Sequence, residues 1–180
     1  FAVLAIGVRP NVELARQIGL ELGKFGGIKV NSKMETSIPD IYAAGDCVES
    51  VNLITGKNIL APFASVAFKQ GRVAGINAAG GEAELKGVVV NWIVATEWFK
   101  FGAVGLTHEM AKAEGFDPVS SVTRTCAWSC IYPSPTEVTI KLTADRETHK
   151  LLGAQIFSHE NVAYMLDVFS LALYNSLRVE

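Results

Sequence analysis

At 180 residues the chain has room for one domain or two small ones. Hydrophobic residues make up 49% of it and mean hydropathy is +0.28, so there is ample core material and no disordered tail. With 16 basic and 18 acidic residues the net charge is −2, which gives no electrostatic reason to expect nucleic acid or an anionic membrane as partner. No apolar run reaches the roughly 18 residues that a bilayer-spanning helix requires. Three cysteines (Cys47, Cys126 and Cys130) are odd in number and too few for a disulfide scaffold, which favours a reducing cytoplasm. Cys126 and Cys130 are wider apart than a C-x-x-C pair, and His149 and His159 follow without finger-like spacing. The expectation there is two small apolar side chains and no metal.

In chain order, Phe1 to Gly7 is a continuous apolar run closed by glycine, the pattern of a buried parallel strand. It continues straight into Gly7-Val8-Arg9-Pro10 and has neither the basic start nor the initial Met of a signal peptide, so it reads as an internal strand. After Pro10, Asn11 is a good N-cap for a short helix with Leu14, Ala15 and Ile18 on one face. Gly26-Gly27 then turn the chain into a short strand, Ile28-Lys29-Val30.

The most informative stretch follows: Thr36-Ser37-Ile38-Pro39-Asp40-Ile41-Tyr42-Ala43-Ala44-Gly45-Asp46-Cys47. Ile41 to Ala44 are apolar and suit a buried parallel strand. Gly45 allows close backbone approach to a bulky ligand, and Asp46 then stands at the strand's carboxyl end, where open α/β sheets bind ligands. An ionised Asp is an acceptor only, so it suits a ligand hydroxyl such as one on a sugar or ribityl chain.

Pro62 fits the first position of a helix, where its missing N–H costs nothing. Along that helix Ala64, Ala67, Gly71, Ala74 and Ala78 form a stripe of small side chains at steps of three and four. Such a stripe serves equally for tight packing on a neighbouring helix or for a flat ligand. The first turn offers free N–H groups and a partial positive charge, suited to negative charge on a ligand.

Gly80-Gly81-Glu82 is the expected domain boundary. Beyond it Val88 to Val94 is a strand candidate, and Thr107 caps a short helix with Glu109 in its first turn, ended by Gly115. Val138-Thr139-Ile140-Lys141-Leu142-Thr143 alternates apolar with polar, as a half-solvated antiparallel strand does. A turn through Asp145-Arg146-Glu147 leads to Leu151–Phe157 and completes a hairpin. Val162 to Leu177 is helical and apolar on most sides, so it must be buried or face a partner.

The stretch from Thr36 to Asp46 resembles the second flavin-binding motif, T-x-x-P-x-I-Y-A-x-G-D, of the FAD-dependent pyridine nucleotide-disulfide oxidoreductases. That resemblance implies that Asp46 bonds the ribityl chain of FAD, with Thr36, Pro39, Ile41, Tyr42, Ala43, Ala44 and Gly45 forming the rest of the cofactor-binding segment. Leu60-Ala61-Pro62-Phe63-Ala64 resembles the family's L-x-P-x-A segment, which would set the backbone of Ala61, Pro62, Phe63 and Ala64 against the flavin ring. Lys69-Gln70-Gly71-Arg72-Val73-Ala74-Gly75 is similar to a run of the NADH oxidase and coenzyme A disulfide reductase branch. Phe1 to Asn11 resembles the strand closing the NAD domain. Gly105-Leu106-Thr107 with Ala111 and Gly115-Phe116, Tyr132-Pro133, and Leu152-Gly153-Ala154-Gln155 resemble pieces of the family's dimerisation domain.

The resemblance implies a partial FAD-binding, Rossmann-like α/β domain followed by an α+β dimerisation domain with an antiparallel sheet. Residues 1–81 would end the NAD(P) domain and complete the FAD domain; residues 82–180 would form a dimerisation domain cut short at its C-terminus and make a homodimer. It further implies FAD and NAD(P)H as cofactors, a small-molecule or thiol electron acceptor, and a cytoplasmic enzyme. Tyr132 would be catalytic at the partner subunit's thiol site, although Ile131 stands where the branch has a second aromatic and Ser134-Pro135 where it has glycine. No G-x-G-x-x-G occurs in the chain, and the family's redox cysteine lies upstream of this region, so Cys47 is not that nucleophile. The chain alone is therefore expected to be inactive. A catalytically inactive binding or dimerisation module with the same fold is the other reading.

Overall fold

In the computed structural model, which describes residues 1–180, the chain folds as two units, Phe1–Val88 and Val89–Glu180. The first unit carries α1 (Glu13–Gln17), the short antiparallel pair β1 (Glu49–Val51) and β2 (Asn58–Leu60), and α2 (Ala64–Ala78). Its core gathers Val12, Ala15, Leu20, Ile28 and Val48, with Ile38, Ile41, Ala43 and Cys47 packed against it.

The structure corrects several expectations for this unit. Phe1–Gly7 forms no strand: its large side chains stand exposed, and no other segment of the chain pairs with it. An apolar run becomes a strand only when a neighbouring strand takes its N–H and C=O groups. Asn11 is not the cap of α1; Val12 is, without a side-chain bond, and of the expected apolar face only Ala15 is buried while Leu14 and Ile18 are exposed. Residues 28–30 and 41–46 are not regular strands but make isolated bridges, Ile28 with Leu22 and Val48, and Tyr42 with Glu35. Pro62 is not the first residue of α2, which starts at Ala64 with Phe63 as its extended N-cap.

The second unit is an antiparallel five-stranded sheet in the order β3-β4-β7-β6-β5: β3 (Asn91–Ala95), β4 (Lys100–Gly105), β5 (Pro118–Cys126), β6 (Glu137–Asp145) and β7 (Leu151–Ser158). The expected hairpin is β6–β7. Its turn is held by Asp145, whose carboxylate accepts from the hydroxyl of Thr148 at 2.7 Å and from its N–H at 2.9 Å. Those two donors hold the Asp145 carboxyl below its ordinary range. Thr107 caps α3 (His108–Ala113), accepting from the Met110 N–H at 3.2 Å, and Gly115 follows in the left-handed region.

The terminal helix α4 (Ala163–Tyr174) packs on β3, β4 and β7 through buried Leu166 and Leu173. Its other face, with Val168, Leu171 and Tyr174, stays open. Close approach depends on glycine at two places. A Cβ at Gly102 would lie 2.5 Å from Leu166 Cδ1, and one at Gly153 would lie 2.1 Å from the Leu106 carbonyl oxygen. The second neighbour is backbone, tied in turn by the Leu106 N–H to Leu152 O at 2.8 Å. Gly153→Ala must therefore displace β7 or the β4–α3 connection, and about 1–3 kcal/mol of stability should be lost. A denaturant titration of this unit's unfolding checks it; an unchanged midpoint would show that the strands can part freely.

Candidate functional site

The segment from Thr36 to Cys47 is a folded loop, not a strand. The Thr36 N–H donates to Ile41 O at 2.9 Å, and the Thr36 hydroxyl bonds Ile38 O at 3.2 Å, which closes the turn around Pro39 and Asp40. Asp40 adopts φ 63, a conformation that Asp tolerates better than most residues. The Ala43 N–H then bonds Met34 O at 3.1 Å, setting Tyr42, Ala43 and Ala44 half-buried along the core.

Gly45 is the pivot. Its φ of 92 lies in the left-handed region, and its carbonyl accepts from the Val48 N–H at 3.0 Å to close a tight turn. Asp46 sits at the exposed outer position of that turn, and no donor of the chain engages its carboxylate. An acceptor held outward on a fixed turn is free to take a ligand hydroxyl.

The turn is locked onto α2 by Gln70. The Gly45 N–H donates to Gln70 Oε1 at 2.8 Å, and Gln70 Nε2 donates to Ser50 Oγ at 2.9 Å. Gln70 is 1% exposed, so both ends of its amide are satisfied in a water-free setting. Sequence reading had met it only as one letter of the Lys69–Gly75 run. Gln70→Leu would leave the Gly45 N–H without its acceptor and should cost about 1–3 kcal/mol. Chemical denaturation of the full-length protein measures this, and an unaltered midpoint would mean that the turn holds itself.

At the start of α2, Ala61 is buried, Phe63 is half-buried, and Pro62 and Ala64 are exposed. No side chain caps this N-terminus and no acidic residue occupies its first turn; the Val66 and Ala67 N–H groups bond Phe63 O, and those of Ala64 and Ser65 are left without an acceptor, with the partial positive charge of a helix start. The buried face of α2 is Val66, Gln70, Val73 and Asn77, not the small-residue stripe. A Cβ added at Gly71 or Gly75 would meet nothing, while Ala67 lies against Gly45. The stripe is thus an open face that ends beside the Gly45 turn. An outward acceptor, helix N–H groups left without an acceptor and an open small-residue face fit a long, flat ligand with hydroxyl and anionic parts.

A second missed residue is Glu49. It is 4% exposed, and its carboxylate accepts from the Phe25 N–H at 2.6 Å. Gly23 and Gly27 make room for it, since a Cβ at Gly23 would lie 2.1 Å from Glu49 Oε2. It braces the loop before Ile28.

In the second unit, Tyr132 lies on the β5–β6 connection, 63% exposed, with its N–H donating to Ser129 O at 3.1 Å. Ser134 adopts φ 56, so the backbone here keeps the left-handed turn that glycine takes freely. Cys126 and Cys130 are bonded to each other, with Cα atoms 5.6 Å apart, which corrects the reading of two unpaired apolar side chains. The separation of four residues permits the bond because the chain doubles back after β5. Cys47 is the free cysteine. No His, Cys, Asp and Glu group could hold a metal ion, and no helix is long and apolar enough to cross a membrane.

Residues 1–71 match the pyridine nucleotide-disulphide oxidoreductase family, and residues 91–180 match the dimerisation domain of the same family. The chain is 40% identical over 178 residues to an NADH oxidase of Methanocaldococcus jannaschii, covering 99% of this chain and 39% of that protein. It is 40% identical to the NAD(P)H sulfur oxidoreductase (CoA-dependent) of Pyrococcus furiosus, covering 88% of this chain and 36% of that one. Among solved structures, an NAD-dependent persulfide reductase from A. fulgidus superposes with a TM-score of 0.92 at 38% identity, over 96% of this chain and 32% of that one. The water-forming NADH oxidase of Lactobacillus brevis bound to NADH superposes with a TM-score of 0.91 at 27% identity, over 97% of this chain and 39% of that one. The chain thus spans about two fifths of the length of the curated relatives it matches. With both of its units matched, the chain belongs to the pyridine nucleotide-disulphide oxidoreductase family.

Proposed function

We propose that the chain is the C-terminal part of an FAD-dependent NAD(P)H oxidoreductase, of the NADH oxidase or coenzyme A disulfide reductase kind. The observation that carries this is the Gly45–Asp46 turn, fixed on α2 by Gln70 beside an uncapped helix N-terminus. Asp46 accepts from the ribityl hydroxyls of FAD. Thr36, Pro39, Ile41, Tyr42, Ala43, Ala44 and Gly45 shape the loop that presents it. The backbone of Ala61, Pro62, Phe63 and Ala64 borders the flavin ring, and the N–H groups of Ala64 and Ser65 at the start of α2, which no carbonyl of the chain takes, favour negative charge on the reduced ring. The bound flavin supplies the electron transfer between nicotinamide and acceptor.

Residues 1–81 complete the NAD(P) and FAD domains and residues 82–180 form the dimerisation domain. The homodimer is supported by the exposed apolar side chains Trp92, Ile93 and Val94 on β3 and Val168, Leu171 and Tyr174 on α4. The enzyme works in the cytoplasm on a small-molecule or thiol acceptor, with neither nucleic acid nor membrane as partner.

The full-length protein should be purified yellow, with flavin absorbance, and should oxidise NADH or NADPH in a screen of oxygen, peroxide, coenzyme A disulfide and polysulfide. A colourless, inert dimer would instead support a binding module. The 180-residue piece alone should neither retain FAD nor oxidise NADH, because it has no glycine-rich turn to hold the pyrophosphate. Stoichiometric flavin on the isolated piece would overturn that expectation.

A further inference from the structure

The bond between Cys126 and Cys130 is a reactive group that the flavin reading does not use. We propose that this disulfide is a thiol-exchange site that takes a low-molecular-weight thiol as its reductant. It is independent of the flavin reading, since the reductant comes from outside the protein.

Three observations support it. The first is that the bond is not needed to hold its surroundings. Cys126 is the last residue of β5, paired with Glu137, and the next residue continues the ladder, with the Ala127 N–H donating to Thr136 O at 2.7 Å. The β5–β6 pairing therefore fixes both ends of the connection without help from sulfur. The second is the size of the loop that the bond closes. A cross-link constrains the unfolded chain in proportion to the logarithm of loop length, and this one spans a sequence separation of only 4. Opening it releases little entropy, so the folded unit survives in both redox states.

The third is access. Cys130 is exposed whereas Cys126 is half-buried, and neither lies under another element. Exposed disulfides are the exchangeable ones. Trp128, inside the ring, and Ile131 and Tyr132, just beyond it, are all exposed. Within the protomer these neighbours leave room for a small thiolate to reach Cys130.

The chemistry runs in two exchanges. A thiolate attacks Sγ of Cys130; a bond forms between the two, the Cys126–Cys130 bond breaks, and Cys126 leaves as thiolate. A second thiolate then attacks the sulfur of the bound thiol and displaces Cys130 as thiolate. In sum two thiols are oxidised to their disulfide, the protein disulfide is reduced to two thiols, and the protons pass through solvent.

The test equilibrates the full-length protein, without denaturant, in mixtures of reduced and oxidised glutathione, followed by acid quenching, alkylation and peptide mapping of residues 126 and 130. The pair should pass reversibly between disulfide and dithiol across the mixtures while circular dichroism stays constant. Cys126→Ser exposed to oxidised glutathione should collect the adduct on Cys130. Cys130→Ser should collect it on Cys126 more slowly, on the order of ten-fold, because access governs the rate. A disulfide that persists in excess reduced glutathione until denaturant is added would overturn the proposal, as would a pair that stays reduced in excess oxidised glutathione. Equal adduct rates on the two variants would overturn the assignment of Cys130 as the sulfur attacked.

Discussion

Replacing Asp46 with alanine in the full-length protein should strip it of most of its FAD without loosening its fold. Both halves of that expectation come from the turn. Asp46 is exposed, and its carboxylate has no partner within the chain, so its removal leaves no orphaned donor behind. The loop is held instead by backbone bonds, Thr36 N–H to Ile41 O and Ala43 N–H to Met34 O, and by Gln70 on Gly45. What is lost is a charge-assisted hydrogen bond to a ligand hydroxyl, worth about 1.5–3 kcal/mol. That corresponds to FAD affinity lower by about 10- to 150-fold. Asp46→Asn retains an acceptor oxygen and should fall between wild type and alanine. Gln70→Leu separates the two effects, since it should lower stability together with flavin content. The measurement is flavin absorbance per protomer, paired with a denaturation midpoint for each variant. Full flavin occupancy and unchanged affinity in Asp46→Ala would remove Asp46 from the cofactor site.

Where sequence reading succeeded, the signal was local. Thr107 with Met110 is a cap decided within one helical turn, and the β6–β7 hairpin is decided by two alternating runs and a turn. The composition of α4 likewise announced a helix with an uncovered face. The failures share a different cause. Phe1–Gly7 and Ile41–Ala44 have strand-like composition, but a strand needs neighbours, and this chain gives them none or only an isolated bridge. Pro62 is a legitimate helix starter, yet the extended backbone at Phe63 places the start two residues later.

Of the candidate segment, Gly45 and Asp46 stand out in the sequence because glycine and acid punctuate an apolar run. Gln70 and Glu49 do not, because a buried polar side chain is recognised by its partners. Those partners lie 25 residues away for Gln70 and 24 for Glu49. The Cys126–Cys130 bond escaped for the same reason: sequence gives the spacing, and only the doubling back after β5 brings the sulfurs together.

Tyr132→Phe in the full-length enzyme should lower turnover with its best acceptor by about 10²-fold, the lower end of what a positioned proton donor contributes, while FAD content and dimer mass hold. The phenol is well placed for such a role. Tyr132 stands on the β5–β6 connection, exposed, with its backbone fixed by the bond to Ser129 O. A tyrosine serving only as packing would have its ring covered, and this one does not within its own protomer. Ser134 matters here despite replacing the family's glycine. It holds φ 56 and so preserves the turn that aims the loop. The departure at Ile131 removes a second aromatic but not the hydroxyl. If the loop reaches the partner subunit's thiol site in the proposed homodimer, the phenol would donate a proton there to a departing thiolate or a reduced oxygen species. Tyr132→Phe removes only the oxygen and keeps the ring, so packing is not disturbed. If turnover is unchanged, Tyr132 is structural, and the dimer stands on the apolar faces of β3 and α4 alone.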